Sequence, residues 1–333
     1  MTSNQAAERN GMGLAIKIVL LLILAAATAL IVFVILFFLR PIATMVWLRR
    51  NALRRAGLRK TTVTTTVGEQ IVWHGGAGPL LVLLHGAGDQ AGTWNKVAPK
   101  LKRHFQLLIP DLAGHGESDP DAGALSLGTL LIALEQVLGA IPWRDAPMVL
   151  AGNSLGAWMA MLYGQKYPHR VTRVILIDGC PIKDALEINI MPKDREEARR
   201  ALDSVLDPST PRWPNFVLDD LVRVSNTGPI SRLLAAGEED ISKYVLDEKL
   251  ASFPLPVDLI WGASDRLVPL DYAKKVQSHL PHCTLTVIER CGHAPQFERP
   301  QKLTQVLLQI LASDGSGAPA TAQSVSRPFG ENS

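Results

Sequence analysis

Cysteine is scarce in this 333-residue sequence, which contains only Cys180, Cys283 and Cys291. Three cysteines at these spacings supply neither an even disulfide set nor the ligand pattern of a zinc site, which agrees with a reducing compartment. The sequence also lacks a cluster of histidines and acidic residues typical of a metal centre, a glycine loop typical of phosphate binding, and internal repeats. These absences predict a protein that uses no metal and no cofactor.

Charge is missing from residues 18–39, which form a long apolar run. At about 1.5 Å rise per residue, a helix over this run measures roughly 33 Å and crosses a hydrocarbon layer of about 30 Å. A cleaved signal peptide is the alternative, because Arg9 and Lys17 precede the run. The run is longer than a usual signal sequence, however, and no A-x-A-like site closes it before Arg40. We therefore predict a short tail over 1–17 and one transmembrane helix over 18–39.

Basic residues are concentrated beside this apolar run. Residues 1–60 contain nine Lys or Arg and one acidic residue, whereas the rest of the chain contains 25 basic and 30 acidic residues. The net charge of +3 therefore describes no single part of the chain. The basic character comes from a juxtamembrane cluster over 40–60 and does not indicate nucleic-acid binding. By the positive-inside rule, the chain after the helix lies on the cytoplasmic side. Residues 44–60 indicate either an amphipathic helix on anionic headgroups or an ordinary basic flank.

The remaining sequence alternates apolar strands with helical patterns. This alternation predicts a mostly parallel sheet covered by helices on both faces, which is an α/β fold. The predicted strands are a hairpin over Thr61–Val67 and Gln70–Trp73, followed by Leu80–Leu84, Gln106–Ile109, Met148–Ala151, Val171–Ile177, Val257–Trp261 and Thr284–Ile288. The predicted helices are Leu125–Ile141, Leu155–Lys166, Leu270–Leu280 and Gln301–Leu311.

One region interrupts the alternation. Residues 181–254 show helical periodicity without a convincing strand, and prolines divide them into short segments. The helix candidates are Arg195–Leu206, Asn215–Ser225, Ile230–Ala236 and Ser242–Leu250. We interpret this insertion as a cap over a site in the core, which would comprise residues 61–180 and 255–311; a helical decoration on the domain edge is the alternative. Residues 312–333, rich in Ser, Gly, Ala and Pro, predict a disordered tail.

Gly152-Asn153-Ser154-Leu155-Gly156 is the motif that carries the most chemistry. It lies between a predicted buried strand and a predicted helix, which is the context of a nucleophile elbow. Two glycines permit a tight turn that exposes the serine hydroxyl, and the helix N-terminus favours developing negative charge there. The alternative is a glycine-rich turn with an incidental serine.

An acid and a base follow the serine in the order that such an elbow requires. Asp265 comes just after the strand Val257–Trp261, and His293 lies in the loop after the strand Thr284–Ile288. The carboxyl ends of parallel strands share one edge of a sheet, so we expect the three side chains to meet there. Taken alone, Asp265 is more often a turn or capping aspartate and His293 more often a solvated loop histidine. Together they predict a Ser154–His293–Asp265 triad.

An oxyanion hole would complete this chemistry. The strand Leu80–Leu84 runs into His85-Gly86-Ala87-Gly88, and we assign the two donors to the backbone N–H groups of Ala87 and Leu155. His74-Gly75-Gly76-Ala77-Gly78 resembles an oxyanion motif more closely but precedes the strand, so we interpret it as a hairpin turn. His85 and His115 are interpreted as structural residues of loops.

These motifs, with Asp111-Leu112-Ala113-Gly114-His115-Gly116-Glu117-Ser118 between them, resemble the α/β-hydrolase superfamily over about residues 65–311. Leu259-Ile260-Trp261-Gly262, the spacing from Asp265 to His293, and Cys291-Gly292-His293 followed by Glu298-Arg299-Pro300 resemble its membrane-anchored monoacylglycerol lipases. Those proteins also carry an N-terminal membrane helix. The resemblance implies an α/β-hydrolase fold and a lipid ester as substrate, whereas residues 181–254 match less clearly.

The sequence thus predicts a membrane-bound serine hydrolase of carboxylic esters, such as a lipase acting on a monoacylglycerol-like or lysophospholipid-like ester. A general carboxylesterase, a thioesterase and a carbon–carbon bond hydrolase use the same triad and remain open. From another class, a non-catalytic, membrane-tethered binding module remains open as well. The expected partners are a small ester and the bilayer, through residues 18–39 and the basic residues of 40–60; the oligomeric state is not predicted.

Overall fold

The computed structural model describes residues 3–182, 190–281 and 283–313. Its strands are β1 (Arg59–Thr65), β2 (Gly68–Gly75), β3 (Leu80–Leu84), β4 (Gln106–Pro110), β5 (Met148–Asn153), β6 (Val171–Ile177), β7 (Val257–Gly262) and β8 (Thr284–Ile288). Its α-helices are α1 (Ser3–Leu39), α2 (Pro41–Arg55), α3 (Ala98–Leu101), α4 (Leu127–Ala140), α5 (Leu155–Lys166), α6 (Arg195–Val205), α7 (Asn215–Ser225), α8 (Pro229–Leu234), α9 (Glu238–Ser242), α10 (Leu270–His279), α11 (Pro295–Glu298) and α12 (Pro300–Ser313). Two 3₁₀ helices cover Ala91–Lys96 and Asp247–Ser252.

The eight strands form one sheet in the order β1-β2-β4-β3-β5-β6-β7-β8. β1 with β2 and β2 with β4 are antiparallel pairs, and every other pair of neighbours is parallel. The prediction of a mostly parallel sheet is confirmed. Since β3, β5, β6, β7 and β8 run in the same direction, the loops that follow them meet at one edge of the sheet.

The sheet separates two apolar cores, which explains why its central strands are apolar without alternation. Strands β3, β4, β5 and β7 are buried along their whole length. On β5, Leu150 belongs to the core beneath α4 and α5, whereas Val149 belongs to the core beneath α3 and α12. Each fully buried Leu or Val contributes roughly 1.5–3 kcal/mol of transfer free energy, so the sheet provides a rigid base for its edge loops.

The interpretation of residues 74–78 as a hairpin turn is wrong. β2 does not pair with β3, because β4 lies between them in the sheet. The segment is instead a crossing connection at the amino end of β3. Gly76 and Gly78 adopt φ of +94° and +117°, and a Cβ on either would lie 2.2 Å from Phe105 O or 2.4 Å from His104 O. The glycines are therefore required by close backbone packing.

The insertion between β6 and β7 is helical where it is described; α7 has the predicted bounds, whereas α6 ends one residue early and α8 ends two residues early. The pattern over Ser242–Leu250 predicted one helix, but the chain forms α9 up to Ser242 and then the 3₁₀ helix Asp247–Ser252. Part of the predicted cap (residues 183–189) and the predicted tail beyond Ser313 lie outside the described residues. Ala312 and Ser313, which were assigned to that tail, complete α12.

Helix α1 contains an apolar stretch, Met12–Leu39, that is long enough to cross a membrane and is not buried against the rest of the protein. Helix α2 follows after Arg40 and turns back onto the folded domain. The rings of Phe37 and Phe38, at the end of α1, contact Phe216 of α7 at centroid distances of 5.7 and 5.0 Å. The apolar helix is therefore in direct contact with the helical insertion.

Several basic side chains of residues 40–60 are bound to the domain instead of being free for headgroups. Arg50 reaches Asp111 at 3.2 Å and Glu117 at 2.6 Å, and Lys60 also pairs with Glu117. Arg54 lies over the ring of Trp73 at 5.7 Å. Acidic and aromatic groups of the folded domain therefore engage these three cations, which ties this segment to the domain.

Candidate active site

Ser154 occupies a strained turn between β5 and α5. Its backbone angles are φ +53° and ψ −116°, a left-handed conformation that a non-glycine residue rarely adopts. A Cβ on Gly152 would lie 2.2 Å from Gly156 C, and a Cβ on Gly156 would lie 2.4 Å from Leu84 O. Both glycines of the motif are therefore sterically required. The strain is concentrated at the proposed nucleophile, as occurs at functional sites.

Gly179, after β6, also supports this turn and was not singled out from the sequence. A Cβ at this position would lie 2.7 Å from Ser154 Cα, and Ser154 N donates to Ile177 O at 2.9 Å. The end of β6 and the glycine after it therefore pack against the backbone of Ser154. Its sequence signal, one glycine after a strand, is too common to have identified it.

Asp265 and His293, 28 residues apart in sequence, are brought together at the same edge of the sheet. His293 Nδ1 lies 2.7 Å from Asp265 Oδ2, and both side chains are buried. Asp265 Oδ1 accepts the backbone N–H groups of Leu267 and Val268, both at 2.9 Å. Since the carboxylate is fixed by these two donors, its other oxygen is directed at Nδ1. A hydrogen bond there leaves Nε2 as the acceptor of the imidazole.

The hydroxyl of Ser154 makes no hydrogen bond to His293 within the described part of the chain. Ser154 is partly exposed, and it is joined to the histidine loop through its neighbour Asn153, whose Nδ2 donates to His293 O at 3.0 Å. Contacts between nucleophile and base are often loose in a free enzyme and tighten when substrate binds. The structure thus brings Asp265 and His293 into direct contact, whereas the predicted hydrogen bond between Ser154 and His293 is not formed.

The loop after β3 is held by a buried histidine. Leu112 N donates to His85 Nε2 at 2.9 Å, so Nδ1 carries the proton and donates to Gly86 O at 2.8 Å. The loop lies against the elbow, because a Cβ on Gly86 would be 3.4 Å from Ser154 Cβ. Among the described residues, the backbone N–H groups of Ala87 and Leu155 donate to no protein acceptor. Two free donors therefore lie on the segments that flank the serine.

His115 is buried beside His85, with ring centroids 5.2 Å apart. Burial and the neighbouring His85 lower the pKa of His115 to about 3, so it is neutral at physiological pH. His115 Nδ1 hydrogen-bonds Ala113 O at 3.0 Å. This placement agrees with a structural role for both loop histidines.

Asn153 and Gln296 form a polar network beside the histidine that sequence reasoning missed. Asn153 Oδ1 accepts from Gln296 Nε2 at 3.0 Å, while Asn153 Nδ2 donates to both Ile177 O and His293 O. Asn153 is the variable residue before the serine in G-x-S-x-G, so the motif itself gives no signal for it. The network links the elbow, the histidine loop and α11.

Helices of the insertion contact three of the loops at this edge. His293 N donates to Val205 O at 2.7 Å, and Ser204 O accepts from Arg266 N and Leu267 N. A Cβ on Gly88 would lie 2.8 Å from Ile230 Cδ1, so α8 covers the loop after β3. Glu298 ties the histidine loop further, since its carboxylate accepts from Gly292 N and Asp207 N, both at 2.8 Å. The insertion therefore contacts the loop after β3 and the loops that carry Asp265 and His293.

One group of side chains at this edge has metal-ligand chemistry. Ligand atoms of Asp178, Asp265 and His293 lie within 4.8 Å of one another in the described chain. Two of these residues already share a 2.7 Å hydrogen bond. Asp178 Oδ1 accepts from Gly262 N at 2.7 Å. This arrangement fits a histidine held by a carboxylate better than a set of open ligands.

Residues 81–306 match the model of the alpha/beta hydrolase family. The chain belongs to the α/β-hydrolase family. Monoacylglycerol lipase ABHD6 of Homo sapiens is 24% identical to this hydrolase over 255 residues, which cover 71% of the chain and 76% of that protein. The 2-hydroxy-6-oxo-6-phenylhexa-2,4-dienoate hydrolase of Burkholderia cepacia is 25% identical over 260 residues, covering 72% of the chain and 89% of that protein.

The crystal structure of a membrane phospholipase A, described as a novel bacterial virulence factor, is similar to the hydrolase with a TM-score of 0.70. Sequence identity is 26%, and the match covers 90% of this chain and 98% of the phospholipase. This likeness extends beyond the segment matched by the family, because 90% coverage includes a large part of the chain outside residues 81–306.

A second carboxyl group, Asp178, is buried next to the Asp265–His293 pair. It is fully inaccessible to solvent, and no donor among the described residues reaches its Oδ2, because its carboxyl group lies beside the carboxylate of Asp265. Burial raises the pKa of Asp178 well above its ordinary value, and the negative charge of Asp265 raises it further. Asp178 has φ of +49°, which Asp and Asn tolerate better than other residues with a side chain.

Asp178→Asn is expected to stabilise the hydrolase at neutral pH. An aspartate whose pKa is raised in the folded state makes its full contribution to the free energy of unfolding below its unfolded pKa of about 3.9. This contribution is lost as the pH rises toward the folded-state pKa. Asparagine does not titrate, so the apparent Tm of the variant should exceed that of the wild type at pH 7–8, and the gain should shrink toward pH 4. Thermal unfolding of the full chain in detergent measures the Tm. Asp271→Asn, at an exposed position, serves as the control. A gain in Tm that grows toward acid pH would contradict the raised pKa of Asp178.

Proposed function

We propose that this hydrolase is a membrane-anchored serine hydrolase that cleaves carboxylic esters of lipids, with monoacylglycerol-like esters as its substrates. Ser154 is the nucleophile, His293 the general base and acid, and Asp265 the residue that orients the histidine. The observation that carries this proposal is the 2.7 Å contact between His293 and Asp265 at the edge where Ser154 adopts φ +53°. Such a constellation is recognised by geometry and roles.

The chemistry follows from these positions. Ser154 Oγ attacks the ester carbonyl while His293 Nε2 takes its proton, and the C–O bond to the alcohol breaks as His293 returns that proton to the leaving oxygen. Water then attacks the acyl-enzyme with His293 as base, which releases the acid and restores Ser154. The N–H groups of Ala87 and Leu155 bind the oxyanion, each supplying about 3–4 kcal/mol of transition-state stabilisation.

The positions of α1 and α2 support a substrate drawn from the bilayer. The apolar stretch Met12–Leu39 is suited to anchoring, and the following helix α2 is bound to the folded domain. This arrangement keeps the site close to the membrane surface, where amphiphilic esters concentrate. Basic residues after the stretch favour a single-pass topology with the catalytic domain in the cytoplasm. The similarity to a monoacylglycerol lipase and to a membrane phospholipase A supports the same substrate class.

A second candidate is hydrolysis of a small, soluble substrate without a long acyl chain. The 25% identity to a dienoate hydrolase over 260 residues favours it, and thioesters or soluble esters belong to the same candidate.

A non-catalytic binding module would instead leave Ser154 unreactive. Covalent labelling of the full chain by a fluorophosphonate probe separates catalysis from binding, because an unlabelled, folded protein would contradict the serine mechanism.

For the proposed lipid ester, kcat/KM is expected to rise with acyl chain length. Each methylene buried on binding contributes about 0.8 kcal/mol, which corresponds to roughly a fourfold gain per methylene until the acyl site is filled. Rates with monoacylglycerols of increasing length, compared with short soluble esters and matched thioesters in the membrane fraction, measure this. Preference for the short esters, with no gain from longer chains, would overturn the lipid assignment and leave the serine mechanism intact.

A further inference from the structure

A groove lies between α2, the 3₁₀ helix Ala91–Lys96 and α11, apart from the proposed catalytic residues. Met45 and Leu48 supply an apolar wall, Arg49 and Lys96 supply positive charge, and Gln296 and Phe297 form the third side. Helix α2, which carries one wall of the groove, follows α1 directly after Arg40. Trp47 of α2 is 55% exposed, and its ring centroid lies 6.4 Å from that of Phe33 within α1. The helix that carries the groove is therefore in contact with the apolar helix.

The two cations of the groove converge on one aromatic ring. Arg49 Cζ lies 5.5 Å and Lys96 Nζ lies 5.4 Å from the centroid of Phe297. Arg49 reaches one carboxylate, Asp89, at 3.6 Å, and Lys96 forms no ion pair with any described residue. The groove thus has positive charge in excess of its own acidic groups, in contrast to Arg50 on the same helix, which two carboxylates neutralise.

Gln296 adds a specific polar requirement. It is buried, and its Nε2 is committed to Asn153 Oδ1, which fixes the orientation of the amide. Its Oε1 is buried and has no hydrogen-bond partner among the described residues. A buried carbonyl oxygen without a donor is unfavourable, so a ligand that offers a hydroxyl would satisfy it.

We propose that this groove binds an anionic phospholipid of the adjoining leaflet whose headgroup carries free hydroxyls, as in phosphatidylglycerol. The phosphate lies between Arg49 and Lys96, a headgroup hydroxyl donates to Gln296 Oε1, and an acyl chain follows Met45 and Leu48 toward α1. This site is distinct from the proposed substrate site, and it rests on the membrane anchorage in the proposed function. Because Gln296 bonds to Asn153, which bonds to His293 O, occupation of the groove is linked to the position of the catalytic loop.

Binding is tested independently of activity by native mass spectrometry of the full chain released from detergent, with phosphatidylglycerol and phosphatidylcholine of equal chain length. The wild type should retain phosphatidylglycerol in preference. Lys96→Gln and Arg49→Gln should each weaken that binding about fivefold, the effect of one basic residue near a lipid surface. The matched control is Lys100→Gln, which removes an exposed charge outside the groove. Equal retention of the two lipids, or an equal effect of Lys96→Gln and Lys100→Gln, would overturn the proposal.

The link to catalysis is tested in nanodiscs of phosphatidylcholine with or without about 30 mol% phosphatidylglycerol. A soluble short ester serves as substrate, so that delivery of lipid substrate plays no part. The anionic lipid should raise kcat/KM several-fold in the wild type and in Lys100→Gln, but not in Lys96→Gln. A gain that persists in Lys96→Gln overturns the coupling. Absence of ester hydrolysis would contradict the proposed function and leave the mass-spectrometric result standing, whereas recovery of the chain without detergent would contradict the anchorage.

Discussion

Ser154→Ala is expected to lower kcat for ester hydrolysis by roughly 10⁴–10⁶ without unfolding the protein. The substitution removes the hydroxyl that would form the acyl-enzyme, while the strained turn remains supported by the three surrounding glycines. Loss of the nucleophile leaves only binding and the two N–H groups proposed for the oxyanion, which together give residual acceleration. Steady-state kinetics with a soluble ester, together with fluorophosphonate labelling, measure the effect.

The matched control for this variant is Ser278→Ala, which removes an exposed hydroxyl on α10 that bonds to Lys275 O and to His279 Nδ1 of the same helix. The control should keep the activity and the labelling of the wild type. An unchanged circular dichroism spectrum shows that the fold of the Ser154 variant is intact. Near-normal hydrolysis by Ser154→Ala would exclude this serine from the mechanism.

Asp265→Asn is expected to lower kcat by about 10⁴ through the tautomer of His293. Asp265 Oδ1 accepts two backbone N–H groups at 2.9 Å, so an asparagine would keep its carbonyl oxygen there and turn its NH₂ toward His293 Nδ1. Nδ1 would then accept a hydrogen bond, and the ring proton would move to Nε2. A protonated Nε2 cannot take the proton of the serine, although the shape of the site is unchanged.

The pH dependence distinguishes this effect from a general loss of structure. At high pH, hydroxide can replace the missing base, so the deficit of Asp265→Asn should narrow as pH rises. Asp271→Asn, an exposed residue on α10 that pairs with Lys274, serves as the control and should behave as the wild type. If Asp265→Asn retained full kcat at neutral pH, Asp265 would not orient His293.

The order of strands and helices could be read from the sequence because each element carries a local signal. The buried strands β3, β5 and β7 are continuous apolar runs, and Gly152 and Gly156 mark a turn that has only one common geometry. The edge at which parallel strands end then places Asp265 near His293 without knowledge of the loops. This part of the fold and of the site depends on short-range patterns and on one topological rule.

The remaining features depend on contacts between segments far apart in sequence. The position of β4 between β2 and β3 is decided by packing of whole strands, so the hairpin assigned to residues 74–78 was wrong. The network of Asn153 with Gln296 joins residues 143 positions apart, and Asn153 looks like any variable residue of its motif. Likewise, the basic pattern of α2 does not reveal that Arg50 pairs with Asp111, since an amphipathic helix suits a membrane and a protein surface equally.

The docking of α2 has a consequence for where a water-soluble form of the enzyme could begin. Leu53 is fully buried, and the buried carboxylate of Asp111 receives Arg50 at 3.2 Å. Cleavage just ahead of β1 would expose apolar surface around Trp73 and would leave the carboxylate of Asp111 without its counter-ion Arg50. A shortened chain starting at Pro41 keeps both contacts, so α2 belongs to the globular domain, and a soluble form of the hydrolase should begin before α2 and not after it.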